Sequence, residues 1–240
     1  MAVLPIRVVG DPVLRTPAAP VTEFDAVLAR LIEDMIDTMY AAPGVGLAAP
    51  QVGVGLRVFV YDVDYNPHDP GIPRLPRVVV NPTLVLDQDS GPGLASGADP
   101  GDGDDGGQRA DGAGDERADG VGDDGGAEVQ PGPREMAEGC LSVPRLYFPT
   151  PRAWRATVRG VDATGAPVEI DGQGLAARCF QHECDHLDGV LYLDRLTGPA
   201  RVAAVRALRE QPPSSPQAPG AERGASTGDD PLWALRRASR

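Results

Sequence analysis

The chain has 240 residues, a formal charge of −13 and three cysteines. Its length fits one catalytic domain with additions, its cysteines are too few and too odd in number for a disulfide framework, and no apolar run approaches the ~20 residues that span a bilayer. Residues 87–130 hold thirteen Asp/Glu against two Arg, which leaves the remainder close to neutral at −2 and excludes a nucleic-acid-binding face or a polybasic membrane patch.

Met1-Ala2-Val3-Leu4-Pro5 lacks the charged and long apolar regions of a signal peptide, so a reducing cytoplasm is the expected compartment. Asp11-Pro12 and Pro17 to Pro20 predict an extended arm. Thr22-Glu23-Phe24-Asp25 resembles a capping box with Asp in the last place, and it opens a strongly periodic helix. Phe24, Val27, Leu28, Leu31, Ile32, Met35 and Met39 fall on one face, read as core packing, and Pro43-Gly44 ends the run. Strands are expected at Leu56 to Tyr61, at Arg77 to Leu86 with a break at Asn81-Pro82, and at Arg155 to Val161. The last strand turns through Asp162-Ala163-Thr164-Gly165 into Pro167 to Ile170 as a hairpin. Between the second and third of these, residues 87–135 are rich in Gly and Asp and nearly devoid of large apolar side chains, which predicts a disordered insert. Gly174 to Leu187 reads as a second helix with Gly189 as its stop, and Pro199 to Glu210 as a third. Residues 211–230 are a second segment too polar and Pro-rich to pack. This order of elements predicts an α+β domain, with helices packed on antiparallel strands.

The second helix carries His182-Glu183-Cys184-Asp185-His186, an H-E-x-x-H motif that uses two of the chain's three histidines. Residues four apart on a helix lie one above the other, so both imidazoles can face one metal ion. Glu183 then sits beside the open coordination position, where a carboxylate can take a proton from water. A catalytic site needs a third protein ligand. The H-x-x-G-x-x-H extension fails because Tyr192 stands where its last histidine belongs, and the next glutamate, Glu210, lies beyond Gly189. Cys140, in Glu138-Gly139-Cys140-Leu141-Ser142, is the best soft candidate, although a lone cysteine is more commonly a small buried hydrophobe. Gly44-Val45-Gly46-Leu47-Ala48-Ala49-Pro50-Gln51 lacks the spacing of a nucleotide loop. Its glycines allow a substrate backbone to come close, and Gln51 offers an amide donor for an oxyanion. An ordinary turn entering a strand accounts for the same residues equally well.

Taken in order, G-V-G-L-A-A-P-Q at 44–51, E-G-C-L-S at 138–142 and Q-H-E-C-D-H at 181–186 resemble the bacterial-type peptide deformylase family, over approximately residues 4–197 apart from the insert. The resemblance implies antiparallel strands packed around a central H-E-x-x-H helix. It places the catalytic domain at 1–197, interrupted by 87–135, with a C-terminal helix and tail over 198–240. It implies a metal-dependent hydrolase that removes the formyl group from the N-terminal formyl-methionine of newly made polypeptides and releases formate. One divalent ion per chain is expected, Fe(II) first and Zn(II) as its substitute, held by Cys140, His182 and His186. Glu183 becomes the general base, and Gln51 and the Leu141 N–H the oxyanion donors. Gly46 lies along the substrate backbone, with Val45, Met136, Leu175 and Cys179 around the methionine side chain. The expected partners are N-formyl-methionyl peptides and, transiently, the ribosome. Asp185 and Gln181 are candidates to orient the site, and Glu138 is expected to pair with Arg152. Two departures from the family's usual form, the insert and Arg145-Leu146-Tyr147-Phe148, bear on substrate reach and touch no ligand. The competing functions are a noncatalytic ribosome-associated module, which loss of a ligand or of Glu183 would favour, and an H-E-x-x-H metalloendopeptidase.

Overall fold

The computed structural model describes residues 2–69, 71–87 and 137–210. Its strands are β1 Gly46–Ala48, β2 Val58–Tyr61, β3 Arg77–Asp87, β4 Ala137–Cys140, β5 Val143–Pro149, β6 Arg155–Val161 and β7 Pro167–Gln173. Its helices are α1 Ala26–Ala41, α2 Leu175–Leu187 and α3 Gly198–Glu210. Five strands form one antiparallel sheet in the order β1-β2-β3-β6-β7, while β4 and β5 make a separate two-stranded ribbon. The fold is α+β.

The Val58-Phe59-Val60-Tyr61 run is apolar at every position because β2 is buried on both faces. Successive side chains of a strand point to opposite faces. Val58 and Val60 therefore join Leu28, Ile32, Met35 and Met39 of α1 in one core. Phe59 and Tyr61 join Ala177, Phe180 and Leu187 of α2 in the other. The two layers pin α2 against the sheet, and α2 carries the H-E-x-x-H residues.

Several local expectations change. The N-cap of α1 is Asp25, whose carboxylate accepts from the amides of Val27 and Leu28, so the capping role falls three residues after Thr22. Phe24 precedes the helix and Val27 lies off its packed stripe; they are 40% and 75% exposed and lie outside the core. The N-terminal arm contains a short 3₁₀ turn at Pro12–Arg15, capped by Asp11. The break expected at Asn81-Pro82 is present as a bulge: the register of β3 shifts between Val80 and Thr83, with Asn81 at φ 51, and the strand continues beyond it. Its side chain donates to the Val21 carbonyl and accepts from the Val21 amide, at 2.9 and 2.8 Å, holding the arm as a strand neighbour would. The β4–β5 ribbon is absent from the strands expected from the sequence, since its first strand is four residues long and contains Gly139. α2 ends where Gly189 takes φ 73; a β-carbon there would lie 2.8 Å from the Arg15 carbonyl group. The expected insert, beyond Asp87, lies outside the described residues, as do the 211–230 segment and Met136.

Candidate active site

One turn of α2 separates His182 from His186, with ring centroids 4.9 Å apart. Cys140, at the end of β4, brings Sγ to 3.2 Å from His186 Nε2. One donor atom from each of the three residues lies within 4.8 Å of the others. His182 Nδ1 faces Glu138 Oε1 at 2.6 Å. The Glu138 carboxylate also takes Arg152 and Arg178, so it acts as an acceptor, Nδ1 donates, and Nε2 is left to face Cys140 and a metal. One sulfur and two imidazole nitrogens converging here suit a borderline-soft divalent ion and would leave a coordination position open. Burial disfavours a proton on His182, but the Cys140 sulfur and the Glu138 carboxylate outweigh it and hold one well above the ordinary imidazole range. Burial, reinforced by His182, pushes His186 the other way, well below that range.

Behind the donors lies a buried ionic network. Arg152 grips Glu138 through two hydrogen bonds, 2.6 and 2.9 Å, and reaches Asp185 at 2.7 Å. Arg178 donates to Glu138 and to the Thr150 carbonyl, each at 2.9 Å. Arg195 closes the far end on Asp185 at 2.5 and 3.1 Å. Burial raises the cost of ionising Glu138, yet Arg152 and His182 together hold its carboxyl well below the usual carboxylate range. Gln181 ties α2 to the segment before β6, accepting from the Ala153 amide and donating to its carbonyl, both at 3.0 Å.

A cavity of about 250 Å³ opens over this centre. Val45 and Gly46 line one side, Gly139 to Leu141 with Arg145 and Tyr147 the other, and Leu175, Cys179, His182 and Glu183 its floor. Burial pushes the Glu183 carboxyl up to about 7. Its Oε2 is buried and has no hydrogen-bond partner among the described residues, as is true of His186 Nδ1. Gln51 is fixed by its Oε1, which accepts from the Ala48 amide at 2.8 Å. Its Nε2 then lies 3.2 Å from Ser142 Oγ and 3.7 Å from Cys140 Sγ. A β-carbon on Gly46 would fall 2.3 Å from Glu183 Oε1 and 2.8 Å from Cys179 Sγ, so only glycine lets β1 run this close to the carboxylate.

The fold thus gathers Val45, Gly46, Gln51, Cys140, Leu141, Leu175, Cys179, His182 and Glu183 around one cavity, with His186 buried against Cys140. The expected Glu138–Arg152 pair is present, and Asp185 and Gln181 both orient neighbouring elements. The sequence reading missed the hold of Glu138 on His182, and it missed Arg178, Arg195, Ser142 and Tyr192. Arg178 precedes His182 by four residues on α2, a spacing that could have placed it on the same face. Tyr192 stacks on His182 with centroids 6.2 Å apart and so borders the three candidate donors.

An H-E-x-x-H helix, a further candidate donor from a separate ribbon and a buried carboxylate facing the same cleft point to the class of metal-dependent enzymes, on an α+β scaffold. Within that class the chain belongs to the polypeptide deformylase family, whose sequence pattern matches residues 3–202. It is 46% identical over 210 residues to a peptide deformylase of Acidothermus cellulolyticus, covering 88% of each chain. It is equally identical over 215 residues to one from Mycolicibacterium paratuberculosis, covering 87% and 89%. Among solved structures it resembles the peptide deformylase of Thermus thermophilus, at 33% identity and TM-score 0.62, covering 99% of this chain and 100% of that one. It also resembles a Synechococcus elongatus peptide deformylase in complex with actinonin, at 32% identity and TM-score 0.61, covering 86% of each.

Proposed function

We propose that the cleft hydrolyses the N-formyl group of formyl-methionyl polypeptides with Cys140, His182 and His186 as metal ligands and Glu183 as general base. The observation that carries this reading is the convergence of three donor atoms within 4.8 Å beside a buried, unpartnered Glu183 oxygen. When bound, a divalent ion there supplies Lewis acidity and lowers the pKa of its water. Fe(II) is the first candidate and Zn(II) the second, since the sulfur-nitrogen donor set accepts either. Glu183 takes the proton of the attacking water as the new oxygen–carbon bond forms at the formyl carbon. It returns that proton to nitrogen as the carbon–nitrogen bond breaks, so formate and a free amine leave. Gln51 Nε2 and the Leu141 N–H donate to the oxygen on which negative charge develops. The Gly46 backbone flanks the peptide, and Val45, Leu175 and Cys179 receive the methionine side chain. Glu138 keeps His182 in the tautomer that presents Nε2.

The catalytic unit is proposed as residues 1–197 with 198–240 appended, acting in the cytoplasm on chains that meet it at the ribosome. No described helix is long and apolar enough to cross a membrane. Metal-reconstituted protein should release formate from formyl-Met-Ala-Ser in equal amount to free Met-Ala-Ser. Cleavage of an internal peptide bond, or no formate from fully metallated protein, would overturn the reading.

A further inference from the structure

We propose that Arg145 reads the charge of the residues following the formyl-methionine, raising the relative rate on peptides with an acidic side chain there; this rests on the deformylase reading of the cleft. In the ribbon, Gly139 opposes Tyr147 but Cys140 already opposes Val143, so Pro144, Arg145 and Leu146 bulge out of β5. Arg145 stands at the apex with φ 65, a left-handed conformation that glycine adopts freely and a side chain resists. The flanks hold it there. Tyr192 donates its hydroxyl to the Leu146 carbonyl at 2.8 Å, and Leu146 packs against the core of Leu14, Val143, Leu191 and Tyr192. Arg145 itself is exposed, so the chain places an arginine at a glycine-like position where it fills no core. Its charge is what the position supplies.

The charge lies in the right place. Two arginines line the cavity, and Arg178 is committed to Glu138 and the Thr150 carbonyl. Arg145 makes no ion pair with any described residue. Across the cleft, β1 pairs with β2 alone among the described strands, which leaves its other edge for an extended peptide. The same cavity is lined by Cys140, His182 and Glu183 and by the apolar pair Leu175 and Cys179. A peptide seated there leaves through the mouth, past the exposed Arg145. A guanidinium meets a carboxylate through two parallel hydrogen bonds, and an exposed pair of this kind changes a rate by about two- to fivefold.

The test compares kcat/KM of the full-length, metal-loaded protein on formyl-Met-Asp-Ser and formyl-Met-Asn-Ser, which differ in charge but little in shape. The Asp/Asn ratio should fall about two- to fivefold in Arg145→Ala. It should fall equally in Arg145→Gly, which relieves the left-handed backbone and so keeps the fold, and further in Arg145→Glu. Arg145→Lys should retain most of it, and added salt should lower the parental ratio towards that of Arg145→Ala. A ratio unchanged by all four substitutions, with formate still released, would overturn the role of Arg145 alone. Absence of formate from every peptide would overturn the deformylase reading and this one with it.

Discussion

Glu183 is buried beside the candidate ligand His182 and against the Gly46 backbone, with one oxygen that nothing described satisfies. In the proposed mechanism that oxygen accepts the proton of the attacking water. In Glu183→Gln the amide keeps the shape but cannot accept a proton. The variant should retain its metal and lose about 10²–10⁴-fold in kcat; metal analysis beside turnover checks it, and near-parental kcat in a metallated sample would remove Glu183 from the chemistry. Among the described residues, Cys140 is the one member of the three-donor group from outside α2. Cys140→Ala leaves two imidazoles one helical turn apart, too few for a closed three-ligand site. It should lose stoichiometric metal, measured by elemental analysis after dialysis, and a full complement with normal turnover would refute the assignment.

The ribbon β4–β5 and helix α2 are separate elements that meet across charged side chains. Glu138 lies on β4, Arg178, His182 and Asp185 on α2, and Arg152 between β5 and β6. With both partners buried, removing one strands the other's charge, which costs about 3–5 kcal/mol. Glu138→Ala should therefore unfold at clearly lower denaturant than the parent, and an unchanged midpoint would mean that the ribbon is held by other contacts. The same variant should weaken metal binding, because His182 loses the acceptor that fixes its tautomer. The elements themselves were unequally legible. The α2 helix announced itself through spacing and through Gly189, and β6–β7 through its Asp162 to Gly165 turn. The ribbon did not, because a strand of four residues containing a glycine carries too little periodicity to register. α1 was legible as a helix, but its cap was misplaced by one turn: both Thr22 and Asp25 can cap, and only the backbone geometry chooses between them.

At the scale of the whole molecule, the charge of −11 carried by residues 87–130 begins at the last residue of β3 and precedes β4, the strand that delivers Cys140. The cost of closing a loop grows slowly with its length, so the body should tolerate a short connection as well as a long one. Replacing 90–130 by a short Gly-Ser hairpin should leave kcat/KM on a neutral formyl-Met tripeptide within about tenfold. A larger loss in a variant that folds and holds metal would make this segment part of the active site.

The sequence alone determined the chemistry that depends on local spacing: two histidines and a glutamate on one helix, the third-ligand candidate in its motif, and the glutamine beside a glycine-rich approach. Helical and strand periods are set by backbone geometry, so such patterns survive in one dimension. Tertiary structure alone decided the rest. It brought Cys140 Sγ within 3.2 Å of a histidine forty-six residues away. It linked Glu138 to His182 across forty-four residues and left Arg145 exposed at the cleft wall, since contacts between distant segments follow from how the sheet and α2 pack. Packing is a property of the whole chain, and no local pattern records it.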